Sequence, residues 1–200
     1  MKDVSFLIPI RLDSILRLEN LLVVVDFLRS HFHSPILIYE SNSYSTGILP
    51  SLIGTKAVYR FTEDRDDIFH RTKYINKLVT LSSTPYVAVW DCDVIIPPEQ
   101  IKEGIQHLQE GRSSFVFSYA NEFLDTGFIL REIYVKERNI DMLLSQRGKM
   151  TPLYGPEPIG GAFMANRQDY MDIGLENPDF YGWGREDGER LHRWKGMGYK

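Results

Sequence analysis

Two acidic elements stand out for their residue types and spacing. Asp91-Cys92-Asp93 directly follows the apolar run Tyr86-Val87-Ala88-Val89-Trp90. In an extended chain residues i and i+2 point to one side, so Asp91 and Asp93 are expected to face a ligand while Cys92 faces away. Paired carboxylates suit a hard divalent cation, Mn²⁺ or Mg²⁺, which keeps positions open for phosphate and water. A cation held there neutralises a departing diphosphate, as when a sugar is cleaved from a nucleoside diphosphate. The bare pattern is weak. Fourteen aspartates predict about one D-x-D by chance, and Asp64-Arg65-Asp66 is a second copy. That copy sits in a charged stretch and is read as a solvated turn. Behind a buried strand two carboxylates are costly without a partner. The residues alone leave a metal site and a turn or capping role for Asp91 and Asp93 equally open.

The second element is Tyr181-Gly182-Trp183-Gly184-Arg185-Glu186-Asp187. Its glycines allow tight turns and close backbone approach. Trp183 offers a flat face for a sugar ring. Of the adjacent carboxylates Glu186 and Asp187, one can hold an acceptor while the other takes the proton from an attacking hydroxyl. The competing reading is that both simply favour the positive start of a helix. Arg11, Arg71 and Lys73 are cations placed where a diphosphate could be met, although each alone reads as surface charge. His31, His33, His70 and His107 show no metal-ligand spacing, and His192 is a weak candidate ligand.

These residues need a scaffold. Val4–Ile10, Pro35–Tyr39, Ala57–Phe61, Tyr86–Trp90 and Ser114–Ser118 read as strands. Residues 14–31, with Asp13 or Ser14 as cap, 67–82, 99–110 and 132–147 read as helices, and another begins near Glu186. Thr151–Pro158, with three prolines, reads as a loop, and Gly160-Gly161 precedes the apolar Ala162–Ala165. The alternation predicts an α/β fold: a nucleotide-binding, Rossmann-like, mostly parallel sheet flanked by helices. Ligands in such sheets lie beyond the carboxyl ends of the strands, and Arg11, Glu40 and Asp91/Asp93 all fall there.

Composition narrows the function. A net charge of −4 with no long basic run argues against nucleic acid as a main partner. Cys92 is the sole cysteine, so no internal disulfide points to an oxidising compartment. No apolar run is long enough to span a membrane. A cytoplasmic location is expected, with peripheral membrane association through a partner left open.

Taken in order, the motifs resemble the glycosyltransferase A fold, and within it the β-1,4-galactosyltransferase group and related bacterial family 2-like transferases. Ile8-Pro9-Ile10-Arg11 is similar to a Pro-Phe-Arg element, and Phe69-His70-Arg71-Thr72-Lys73 to Phe-Asn-Arg-Ala-Lys. Asp91-Cys92-Asp93-Val94-Ile95-Ile96-Pro97 matches the metal motif and its flank. Gly160-Gly161-Ala162 resembles an acceptor-side loop, and Tyr181–Asp187 resembles Trp-Gly-Trp-Gly-Gly-Glu-Asp. The resemblance implies that Asp93 binds the metal, with Asp91 on the metal or the ribose. It implies that Pro9, Arg11, Phe69, Arg71 and Lys73 belong to the donor site, and that Gly160, Gly161, Trp183 and Glu186 belong to the acceptor site. Asp187 would be the base of an inverting transfer from a UDP-sugar, galactose or N-acetylgalactosamine favoured, to a saccharide hydroxyl. A single domain over 1–200 is expected, with a nucleotide and metal half at 1–120 and an acceptor half at 121–200. Asp13 replaces a second early arginine, and Tyr181 and Arg185 replace a Trp and a Gly. The family's metal-binding histidine lies beyond the equivalent of Met197, so the chain is expected to stop short of that ligand. A non-catalytic sugar-nucleotide or glycan binder is the alternative. A nucleotidyltransferase fits less well, because residues 8–16 contain no glycine.

Overall fold

The computed structural model describes residues 1–119, 122–155, 158–182 and 184–200. The core is a six-stranded sheet in the order β3-β2-β1-β4-β8-β5. β1 (Val4–Ile10), β2 (Ile36–Asn42), β3 (Val58–Glu63) and β4 (Tyr86–Trp90) run parallel. β1 is buried along its whole length, as expected of a strand covered on both faces. Alternate residues serve opposite layers. Phe6, Ile8 and Ile10 face α1 (Ile15–His31) and α4 (Pro98–Gln109). Leu7, Val87 and Val89 face α3 (Arg71–Leu81), α7 (Arg167–Asp172) and α8 (Glu186–Gly196).

The second half of the chain shares this sheet. β8 (Ala162–Asn166) inserts between β4 and β5 (Phe115–Val116), antiparallel to both. The reversal matters for the site. Trp90 pairs with Ala162, so the amino end of β8 lies beside the carboxyl end of β4. Gly160-Gly161 is thereby brought to Asp91.

Several expected elements change in the fold. A short helix, α2 (Ile48–Ile53), precedes β3 and is too brief to show helical periodicity. The helix expected from residue 67 starts only at Arg71, because Asp64 and Asp66 side chains accept backbone N–H groups and hold turns there. The helix expected over 132–147 begins earlier and divides into α5 (Gly127–Glu137) and α6 (Ile140–Ser145). Arg138 ends α5 in the left-handed region at φ 54°, and the Asn139 side chain caps α6. Two short strands, β6 (Leu124–Asp125) and β7 (Thr151–Pro152), form a separate ribbon, so the expected loop begins in a strand. Ser14 caps α1 as expected.

Candidate active site

The acidic motif is a turn, not an extended strand end. The Trp90 indole N–H donates to the Val94 carbonyl at 2.9 Å, and the Val94 N–H points back to the Asp91 carbonyl at 3.4 Å. The turn still presents Asp91 and Asp93 to one cleft while Cys92 is buried in the core. The i, i+2 argument therefore anticipates that the two carboxylates share a side, but by the wrong backbone. The Asp91 N–H donates to the Gly161 carbonyl at 2.8 Å, tying the acidic turn to the glycine pair.

Arg71, the first residue of α3, joins the two acidic elements. Its Nη2 and Nε donate to Asp91 Oδ1 at 2.6 and 3.1 Å. Its Nη1 lies 3.9 Å from Glu186 Oε1 and, among the described residues, is buried without a hydrogen-bond partner. Burial opposes the Arg71 charge, but Asp91 and Asp187 outweigh it and hold the guanidinium firmly protonated. Asp93 reaches solvent inside the cleft. Desolvation by the surrounding protein, then repulsion from Asp91, raises its carboxyl above the usual range.

Glu186 and Asp187 open α8. Glu186 is buried, and desolvation raises its carboxyl despite helix-start N–H groups that pull the other way. Asp187 is fixed by a residue that sequence reasoning missed. Arg190 Nη2 donates to Asp187 Oδ1 at 2.6 Å, and Nη1 donates to both oxygens of Glu176 at 3.1 Å. The Arg190 side chain is 2% exposed and that of Glu176 is 1%. The guanidinium stacks on the Phe163 ring, and Tyr170 O–H completes the cluster on Glu176. The i, i+3 spacing of Asp187 and Arg190 was the available signal; Glu176 and Tyr170 had none. Gly160 backs directly onto Asp187, since a Cβ there would lie 2.7 Å from Asp187 Oδ2. Tyr119 O–H holds the Gly160 carbonyl at 2.6 Å. Arg185, where the resemblance has glycine, sits at φ 66°, in the region that favours glycine.

Arg71, Asp91, Asp93, Gly160, Gly161, Glu186 and Asp187 together line one cleft of about 830 Å³. Arg11, Phe69 and Lys73 gather in a separate group around Asp64. Arg11 stacks on Phe69 at 5.6 Å, and Arg11 and Lys73 approach Asp64 at 4.0 and 3.9 Å. Asp64, read from sequence as part of a solvated turn, is instead largely buried in this cluster and bonded to Tyr74. Among the described residues, Arg11 Nη2 and the neighbouring Ser41 Oγ are buried without a hydrogen-bond partner. Pro9 is buried within β1. Glu40 does not line the cleft: it is 1% exposed and accepts from Tyr59 O–H at 2.6 Å. His192 is exposed on α8, away from the cleft lining. Trp183 lies outside the described residues.

The donor set fits a hard cation. Asp91 and Asp93 supply only oxygens, and their mutual repulsion is what a divalent charge relieves. Among the described residues no group of three or more His, Cys, Asp or Glu is arranged to hold a metal. Mg²⁺ and Mn²⁺ are commonly held by one or two carboxylates, with water and substrate phosphates completing the shell.

Comparison with known proteins agrees with this architecture. The chain aligns over 100% of its length with Drosophila β-1,4-galactosyltransferase 7, solved as a mutant with manganese, UDP-Gal and xylobiose, at 16% identity and a TM-score of 0.61. It aligns over 99% with a mannosyltransferase from Pyrobaculum calidifontis, solved with GDP-Man and Mn²⁺, at 14% identity and a TM-score of 0.59. This is a glycosyltransferase A fold. A third structure, TarS of S. aureus, aligns over 94% of the chain at 14% identity and a TM-score of 0.55. The chain spans 63%, 53% and 32% of those three proteins. The family profile described as the N-terminal domain of galactosyltransferase matches residues 146–200, which hold Gly160-Gly161 and the Glu186-Asp187 element. No curated protein sequence matches significantly.

Proposed function

We propose that this protein transfers a sugar from a nucleoside diphosphate donor to a saccharide hydroxyl with inversion, assisted by Mn²⁺ or Mg²⁺. UDP-galactose and UDP-N-acetylgalactosamine are the favoured donors. The observation that carries the reading is Arg71, which bridges Asp91 and the buried Glu186 so that donor-side and acceptor-side acids line one cleft. Asp187 accepts the proton of the acceptor hydroxyl. The hydroxyl oxygen bonds to the anomeric carbon as the bond from that carbon to the diphosphate oxygen breaks, and the diphosphate leaves with the electron pair. Arg71 supplies fixed positive charge where that charge grows, and Glu186 and Gly160 position the acceptor. A metal on Asp93, with Asp91, would supply Lewis-acid neutralisation of the leaving group. Arg11 and Phe69 hold the nucleotide, with Arg11 Nη2 and Ser41 Oγ, which lack a hydrogen-bond partner among the described residues, offering it polar contacts.

The test is nucleoside diphosphate release over a panel that includes UDP-Gal, UDP-GalNAc, UDP-GlcNAc and GDP-mannose, with and without chelator. Chelator-sensitive release with one donor is expected. Asp187→Asn should abolish transfer and keep donor binding. No donor binding with any metal sinks the proposal, and activity indifferent to Asp93→Ala sinks the metal assignment.

A further inference from the structure

A second cavity of about 290 Å³ adjoins the transfer cleft, sharing Asp93, Val94 and Phe123 with it as a common wall. Its lining is mainly apolar: Val23 from α1, Ile95 and Ile96 after the acidic turn, Tyr134 and Leu143 from α5 and α6, and Met150. Its two arginines are already neutralised. Arg131 pairs with Glu19 and Glu132, and Arg147 pairs with Glu122, so they do not suit a phosphate. The pocket opens to solvent beside the cleft, and apolar wall facing water gains free energy when hydrocarbon covers it. The lip of the cleft is apolar too, with Phe128 at 66% and Tyr154 at 61% exposed beside Leu153.

We propose that this cavity is an aglycone subsite. It receives an alkyl chain carried by the acceptor sugar while the sugar itself lies at Asp187 and Gly160. The inference rests on the transfer reading of the adjoining cleft and deepens it, because it names the acceptor class: a saccharide on an aliphatic aglycone, not a free sugar.

The experiment compares n-octyl and methyl β-D-glucopyranoside, titrated calorimetrically below the micellar concentration of the octyl compound. Each buried methylene is worth roughly four-fold in affinity, so with about three to four of the seven additional methylenes taken out of water the octyl glycoside is expected to bind on the order of 100-fold more tightly. Met150→Trp fills the cavity, and Leu144→Asp puts a charge on its exposed rim. Both should remove most of that advantage while leaving methyl glycoside and donor binding unchanged. Circular dichroism checks that each variant folds, and Leu144→Asp, at a surface position, guards against a core that fails to repack. Equal affinity for the two glycosides, or octyl binding indifferent to both substitutions, overturns the assignment. Retained, variant-sensitive octyl binding in a protein that binds no sugar nucleotide supports the cavity and overturns the transfer reading instead.

Discussion

Arg190 offers the sharpest test of how the site is held. Its guanidinium donates to both oxygens of Glu176 and to Asp187, and both Arg190 and Glu176 are shut away from solvent. Replacing Arg190 with Met keeps much of the volume but removes the charge. Glu176 is then a buried carboxylate left with the Tyr170 hydroxyl as its side-chain partner. Removing one member of a buried ion pair costs about 3–5 kcal/mol. With a urea slope of about 2.5–3 kcal/mol/M, the upper end of the usual range as suits a chain of this size, the unfolding midpoint should fall by about 1–2 M. The double variant Arg190→Met with Glu176→Gln removes the orphaned charge and should recover most of the loss, giving a large coupling term. Arg190→Lys keeps a charge but not the planar fork that meets both acids, so it should fall between. A loss under about 1 kcal/mol for Arg190→Met, or no recovery in the double variant, would refute the claim that this ion pair anchors the start of α8.

Other substitutions probe separate parts of the structure. Gly160→Ala puts a methyl 2.7 Å from Asp187 Oδ2; misplacement by about 1 Å typically costs on the order of 100-fold in rate, so kcat should drop with donor affinity unchanged. Arg185→Gly relieves a left-handed residue and should stabilise the protein by up to about 1 kcal/mol, measured by urea unfolding. Glu40 is raised above its ordinary 4.5 by burial, against the hydrogen bond from Tyr59. The folded state thus holds that proton more tightly than the unfolded chain, and stability is lost as pH rises from 4.5 toward the folded value. Glu40→Gln should therefore be more stable than the parent at pH 8, with the gap closing toward pH 5, and should leave donor binding intact.

Much of this protein was legible in its sequence. Val4–Ile10 and Tyr86–Trp90 were bounded correctly because strands covered on both faces are continuous apolar runs. Asp91, Asp93, Glu186 and Asp187, which line one cleft, stood out by residue type, order and flanking pattern, which are local properties. The backbone at Asp91–Val94 was misread because an indole N–H fixes the turn through a tertiary contact. Asp64 looked solvated because its partners, Arg11 and Tyr74, come from other elements. Glu40 sat at a strand end, but the direction of its side chain depended on Tyr59 in the neighbouring strand. Local sequence determined the elements and the candidate residues at their ends, because periodicity and turn chemistry act over a few residues. Only the tertiary structure decided which of them meet: the antiparallel return of β8 brings Gly160-Gly161 to Asp91, and the buried Arg190 fixes Asp187 beside them. Pairing and burial join residues far apart in the chain, and no local pattern encodes that proximity.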